Sequence, residues 1–496
     1  MKISRFGFAA AAIAMSVVFA AWQPHQGSAL AQNTPARGTP APATPARGGT
    51  AAAATPARGT ANAGPQAPRL EVDPLWPQPF PVEKHWALGS VTGVTVDSQD
   101  HIWVTHRGVD SLQTNEKGPT LATWAAECCY AAPQVLEFDV SGKLLDSWGG
   151  PGQGYQWPQN PSGIAVDSKG NVWIAAAGAP VAAGARGAAA AAVAAVAAAR
   201  GAAAAAGGDT AAPAAAAGRG GRGAAAGATP AAAGAVPATP AAGAATAAAA
   251  RGARGGNAAP VPGDAHVIKF TAGGNLILQI GTPGTSEGPD STTTLSRPSA
   301  LAIDDTANEV YVADTGNRRI IVFDATSGAY KRHWFGSGDK ASSAVPAAYD
   351  PAAPAVRSFR DVTCVKIAAD GMVYVCDRSS NRIQVFQKNG TFVKEMVVAK
   401  DTRAEGSVWD VAFSNDAQQR FLYVADGLNK TIWILQRDSL TPVSRFGNGG
   451  RYPGLFYAVD SVAVDSKGNV YTGEGSEGKR VQKWINRGLA APRPLN

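Results

Sequence analysis

The stretch His101–Gly108, HIWVTHRG, sets an imidazole beside a guanidinium at the end of an apolar, β-branched run. Comparable runs end in a carboxylate: VYVAD at Asp314, VYVCD at Asp377, LYVAD at Asp426 and VYTGE at Glu474. A sixth, VWIAA, ends at Ala176. His106 and Arg107 together suit acid–base chemistry or the holding of an anion. The carboxylates suit metal ligation, proton transfer or hydrogen bonds to their own turns. Asn317 and Arg319 after Asp314, and Asn381 and Arg382 after Asp377, favour the structural role, because each supplies donors within a few residues. No H-E-x-x-H, G-x-S-x-G or phosphate-cradling glycine loop accompanies these groups.

The elements that must position them repeat. PSGIAVDSKGNVWIAA (Pro161–Ala176) and VDSVAVDSKGNVYTGE (Val459–Glu474) are near copies, and four further segments align with them. Each reads as a strand of period two, a turn rich in Asp, Gly or Asn, and a second strand. A third strand follows in each copy: QVLEFD, HVIKFT, RIIVFD, RIQVFQ, TIWILQ and RVQKWI. A fourth follows in every copy but the last. An unpaired strand-like stretch, Lys84–Ser90, precedes the first copy. A ring closed by that N-terminal stretch accounts for both facts and removes exposed sheet edges. The expected fold is all-β, a six-bladed β-propeller over residues 72–487.

In that register the residue just before each first strand rings the axial entrance: Thr92, Ser162, Ser299, Thr363, Trp409 and Asp460. This ring is a candidate polar ligand pocket with Trp409 as a stacking wall. The alternative is a ring of polar groups bound to axial water. His106-Arg107 is expected near the same mouth, beside a long excursion, VDSLQTNEKGPTLATWAAECCYAAP. Long ordered loops of this kind often form lids or walls.

YVADTGNRRIIVFD and YVCDRSSNRIQVFQ resemble NHL repeats, and the resemblance extends over all six copies. GSVTGVTVDSQDHIWVTHRG resembles more narrowly the first blade of the peptidyl-α-hydroxyglycine α-amidating lyases. That resemblance implies a catalytic role for Arg107. It also implies that the family's three zinc histidines fall at Ser162, Thr363 and Asp460, and its catalytic tyrosine at Thr315-Gly316. None of these positions holds the family's residue. One carboxylate and two hydroxyls suit zinc poorly and would at best suit a hard cation such as calcium. No cofactor is therefore expected.

Met1–Ala31 reads as a secretory signal: Lys2 and Arg5, an apolar run from Phe6 to Ala21, and small residues at Ala29–Ala31. Residues 32–71 and 178–263 are Ala-, Gly-, Pro- and Arg-rich without period and are expected to be disordered. Residues 488–496 read as a tail. The second low-complexity segment interrupts the second copy. The signal and these segments together carry more positive charge than the net +7, so the folded part is mildly acidic. A periplasmic or extracellular address follows, with neither a nucleic-acid partner nor a stable membrane span after signal removal. Export permits disulfides. Cys364 and Cys376 fall opposite each other across the Asp370-Gly371 turn, and Cys128-Cys129 would form a vicinal bridge. The alternative is four buried thiols.

The expected function is that of an exported scaffold whose axial pocket binds a peptide, glycan or protein. The alternatives are a lyase similar to the amidating enzymes, which release glyoxylate from hydroxyglycine-extended peptides, or another propeller hydrolase.

Overall fold

The computed structural model describes residues 66–152, 154–178, 263–338 and 348–495. The expected signal, almost all of residues 32–71 and nearly all of the low-complexity insert lie outside them.

Six four-stranded antiparallel sheets follow the repeats. Blade one is built from Val91–Val96, Ile102–His106, Val135–Phe138 and Leu144–Trp148. Blade two is Pro161–Val166, Val172–Ala176, His266–Phe270 and Leu276–Ile280, with the insert between its second and third strands. Blades three, four and five open with Pro298–Asp304, Val362–Ile367 and Asp410–Phe413. Blade six opens with Val459–Val464, which packs on the first strand of blade one and closes the ring. The six-bladed propeller read from the repeats is the fold found.

The closing strand is not the one expected. Ala67–Asp73 pairs antiparallel with the last strand, Arg480–Ala490, matching Val72 to Trp484. Lys84–Ser90 contributes only Trp86–Ala87, which pairs in parallel with Tyr130–Ala131 of the long first-blade loop. Packing decides between the two. Leu70 is buried in the core between blades five and six beside Trp484, with Val72 packed against it, whereas Trp86 and Leu88 are both only partly buried. The folded ring therefore begins at Ala67 rather than at residue 72, and its last strand runs past Arg487.

Each second strand is buried along its whole length, for example Ile102–His106 and Val172–Ala176. The cause is the location of the cores. Six apolar clusters lie between neighbouring blades, so a blade buries both faces. A buried large side chain such as Trp173 or Tyr471 contributes about 2–3 kcal/mol of hydrophobic stabilisation. The VDS turn that precedes these strands is self-stapled. Asp97 accepts the amides of Gln99 and His101 and the Trp103 indole N–H; Asp167 and Asp465 repeat the device. Gly170 and Gly468 each take φ +77° there, a conformation that favours glycine.

Candidate functional site

Near its start the first strand of a blade carries an irregularity that aims one side chain at the axis. The ladder shifts register between Val91 and Gly93, Pro161 and Ile164, Pro298 and Ala300, Val362 and Cys364, and Val459 and Ser461. Such a bulge redirects the residue it contains. Thr92, Ser162, Ser299, Thr363 and Asp460 occupy these bulges, and Trp409 stands just ahead of Asp410–Phe413. All six line one axial cavity of about 330 Å³.

The four hydroxyls are spent on the ring itself. Thr92 Oγ1 donates to Pro161 O (2.7 Å), Ser162 Oγ to Ser299 O (2.9 Å), Ser299 Oγ to Val362 O (3.2 Å) and Thr363 Oγ1 to Trp409 O (3.1 Å). Each bond ties one blade to the next around the axis. The Trp409 indole donates to Gly406 O (2.9 Å), and the Arg378 guanidinium lies over its ring at 4.7 Å. Asp460 alone of the six makes no side-chain hydrogen bond among the described residues. Burial raises its carboxyl to about 6; Arg378 and Arg107 oppose the rise, while Asp410 and Glu405 add to it.

A second residue from most blades completes the wall. The position after the second strand holds Arg107, Ala177, Thr315, Arg378 and Gly475, and all five face the cavity. Arg107, Ala177, Arg378 and Gly475 are held alike, each amide donating to the carbonyl two residues before the bulge residue: Ser90, Asn160, Asp361 and Ala458. Arg378 is thus the counterpart of Arg107. It is bound to Asp361 at 2.8 Å, whereas the exposed Arg107 side chain has no hydrogen bond or ion pair among the described residues. Lys366 reaches Asp410 at 3.5 Å, and burial raises the Asp410 carboxyl against the pull of that lysine. Arg297 and Glu405 complete the charged lining. Arg378 could have been found in the sequence, because it follows Asp377 as Arg107 follows His106. Lys366 could not, since it sits inside a strand pattern.

His106 does not share the cavity with Arg107. Its side chain is 0% exposed. Nδ1 accepts the amides of Gly89 (3.2 Å) and Gly108 (3.1 Å), and Nε2–H donates to Pro133 O (2.9 Å). Burial lowers its pKa to about 4. Both ring nitrogens are occupied in the neutral form, so the catalytic role expected for His106 gives way to a structural one.

The carboxylates in the same register are bound likewise. Asp314 accepts Ser296 N–H (2.7 Å), Asn317 Nδ2 (2.8 Å) and Arg319 Nε (2.8 Å). Asp377 accepts the Arg360 and Asp361 amides and Arg382 Nε (3.0 Å). Asp426 takes Asn429 and Trp433, and Glu474 takes Tyr457 N–H, Arg480 and Gln482.

Zinc does not fit the positions that the lyase resemblance assigns to it. The Ser162 and Thr363 hydroxyls already donate to carbonyls of the next blade, which leaves Asp460 as the sole ligand. The same shortage applies to calcium. Asp97 and His101 of the first turn of blade one and Glu137 of its third strand place donor atoms within 4.8 Å of one another, outside the lining of the axial cavity. Both Asp97 oxygens are already engaged there, and His101 Nδ1 is bound to Glu137 at 2.8 Å.

Cys364 and Cys376 are disulfide-bonded partners across the first two strands of blade four, Cα atoms 4.9 Å apart, one residue beyond Thr363. Cys128 and Cys129 are also bonded, in the first-blade loop. That loop docks on blade six, where Gln113 Nε2 donates to Glu477 and Lys479 pairs with Glu116. Among the described residues no helix is long and apolar enough to cross a membrane.

The family model of the NHL repeat matches residues 295–323. No curated protein matches the chain in sequence. Among solved structures, virginiamycin B lyase from Staphylococcus aureus is similar at 10% identity and TM-score 0.38, over 81% of this chain and 87% of that one. A streptogramin B lyase is similar at 10% identity and TM-score 0.39, over 85% and 98%. A protein of unknown function from Bacteroides thetaiotaomicron is similar at 11% identity and TM-score 0.42, over 82% and 70%. The repeat match and the sheet order together make this chain a six-bladed β-propeller that carries an NHL repeat.

Proposed function

We propose that the protein is an exported receptor whose axial cavity binds a small polar ligand through an anionic group held by Arg107. The observation that carries this reading is the contrast between two arginines in equivalent positions. Arg378 is neutralised by Asp361, while the Arg107 guanidinium stands at the cavity wall with no hydrogen-bonded or ion-paired partner among the described residues. An unpaired guanidinium presents a planar fork of donors that suits a carboxylate. The cavity volume suits a peptide terminus or a sugar acid rather than a folded partner. Export rests on the Met1–Ala31 pattern.

Equilibrium dialysis against carboxylate-bearing peptides and uronic-acid oligosaccharides, read by mass spectrometry, tests this. At least one class should be retained by the wild type and lose about tenfold or more in affinity with Arg107→Ala. Equal retention by the variant overturns the reading.

Asp460 supports a second reading, a metal-independent lyase on hydroxyglycine-extended peptides. Burial lifts its carboxyl to about 6 against the pull of Arg378 and Arg107, a range suited to proton transfer near neutral pH. The Asp460 carboxylate would take the substrate hydroxyl proton as that carbon becomes the aldehyde of glyoxylate. The C–N bond breaks, and the proton returns to the leaving amide nitrogen. Arg107 would hold the carboxylate throughout. Glyoxylate release by chelator-treated protein, abolished in Asp460→Asn, is the expected result; no release by the wild type removes this reading.

A further inference from the structure

The axial wall carries four cations and four anions: Arg107, Arg297, Lys366 and Arg378 against Asp361, Glu405, Asp410 and Asp460. Two pairs neutralise each other, Arg378 with Asp361 and Lys366 with Asp410. The remaining four side chains, two of each sign, have no hydrogen-bonded or ion-paired partner among the described residues. Of these, Asp460 stands apart. The other five residues of its ring each make a side-chain hydrogen bond to the protein: the hydroxyls to carbonyls of the neighbouring blade, and the Trp409 indole to Gly406. A half-buried carboxylate that faces the cavity with no protein donor among the described residues is open to a cationic group of a ligand. Glu405 lines the same cavity, and its charge reaches Asp460. A cation placed between them would relieve their mutual repulsion as well as the desolvation. The hydroxyls cannot supply that relief, because their protons point into the next blade.

We infer that the ligand is a zwitterion of the amino-acid or short-peptide class, its carboxylate on Arg107 and its protonated amine on Asp460 with Glu405. This rests on the axial-receptor reading and adds the second charged group. It requires the two unpaired signs to be used together, which an anion alone would not do. Burial raises the Asp460 carboxyl, so an amine seated beside it should draw that carboxyl back toward the ordinary carboxylate range.

Three versions of one tripeptide pool test the inference: free termini, N-acetylated, and C-amidated, each titrated into the full-length protein at neutral pH by calorimetry. Free tripeptides should bind tightest, and blocking either end should weaken binding about tenfold or more. Asp460→Asn should lose the preference for a free amine and keep that for a free carboxylate; Arg107→Ala should do the reverse. A circular-dichroism melt checks that both variants are folded. If N-acetylated peptides bind as tightly as free ones while amidated ones do not, the zwitterion inference falls and the anion-receptor reading stands. If no version binds, both fall for peptides. If amine blocking matters equally in wild type and Asp460→Asn, the amine is held elsewhere and the inference is overturned.

Discussion

Blades three and four solve one structural problem with a buried ion pair; blades one and two solve it without one. In blade three Asp314 accepts the loop amide of Ser296 and binds Arg319, whose Nη atoms reach the carbonyls of Pro289, Ser291 and Thr294. In blade four Asp377 and Arg382 do the same for the loop at Val356–Asp361. Blade one uses His106 alone, whose Nδ1 accepts two amides while Nε2–H donates to a loop carbonyl. Blade two has Ala176 at the acid position. Asp264 fills the gap from the far side of the insert, accepting the amides of Gln159, Asn160 and Gly178. His266 stands where the arginines stand and donates from Nε2 to Gln156 O at 3.0 Å. The position demands an acceptor for loop amides and a donor for loop carbonyls. It does not demand a carboxylate, and the His for Asp exchange that marks HIWVTHRG is an exchange of one acceptor for another.

The comparison breaks most sharply in blade three. Asp314→Ala leaves the fully buried Arg319 charge without its counter-ion, and the expected cost is about 4 kcal/mol in urea unfolding. A loss below about 1 kcal/mol would mean that the loop carbonyls alone hold the guanidinium. Asp264→Ala comes next, at about 3 kcal/mol, because three amides lose a charged acceptor but no buried cation is stranded. If the two losses match, the distinction between the blades is wrong. Hydrogen exchange at Gln159 and Asn160 should quicken in the second variant while blade four stays protected.

The six repeats were legible because each strand pair keeps its period of two and its VDS turn. The axial ring was legible because the bulge recurs at one register position, as Thr92, Ser162 and Ser299 show. What the hydroxyls do was not legible, since their acceptors are carbonyls of a different blade, distant in sequence. Asp264 was hidden for the same reason: it belongs to the site of Ala176 only once the insert is looped out. The closing strand is hard to see because it follows directly on the low-complexity tail; Arg69–Asp73 alternates polar and apolar residues while Trp86, Ala87 and Leu88 run together, and the partner Trp484 identifies it. Arg107 was found, but its freedom is a fact about Asp361, which neutralises Arg378 and has no equivalent beside Arg107.

The smallest expected effect is the most discriminating. His106 is held neutral, its pKa lowered from 6.5 to about 4 by burial. The unfolded chain therefore binds this proton more readily than the folded one. The contribution of His106 is fully present above about 6.5 and is lost as pH falls from there toward 4. His106→Asp restores the residue type of blades three to five. The carboxylate can still accept from Gly89 and Gly108, but it faces the Pro133 carbonyl with no arginine opposite. The variant should be about 2 kcal/mol less stable than wild type at neutral pH. Acidification should then narrow the gap, because a protonated carboxyl can donate to Pro133 O as Nε2–H does, while the wild type is losing stability over the same range. Unfolding curves between pH 7 and pH 5 should converge. Parallel curves would show that a carboxylate is as well accommodated in blade one as in blade three, and that His106 is held neutral for some reason other than the carbonyl it faces.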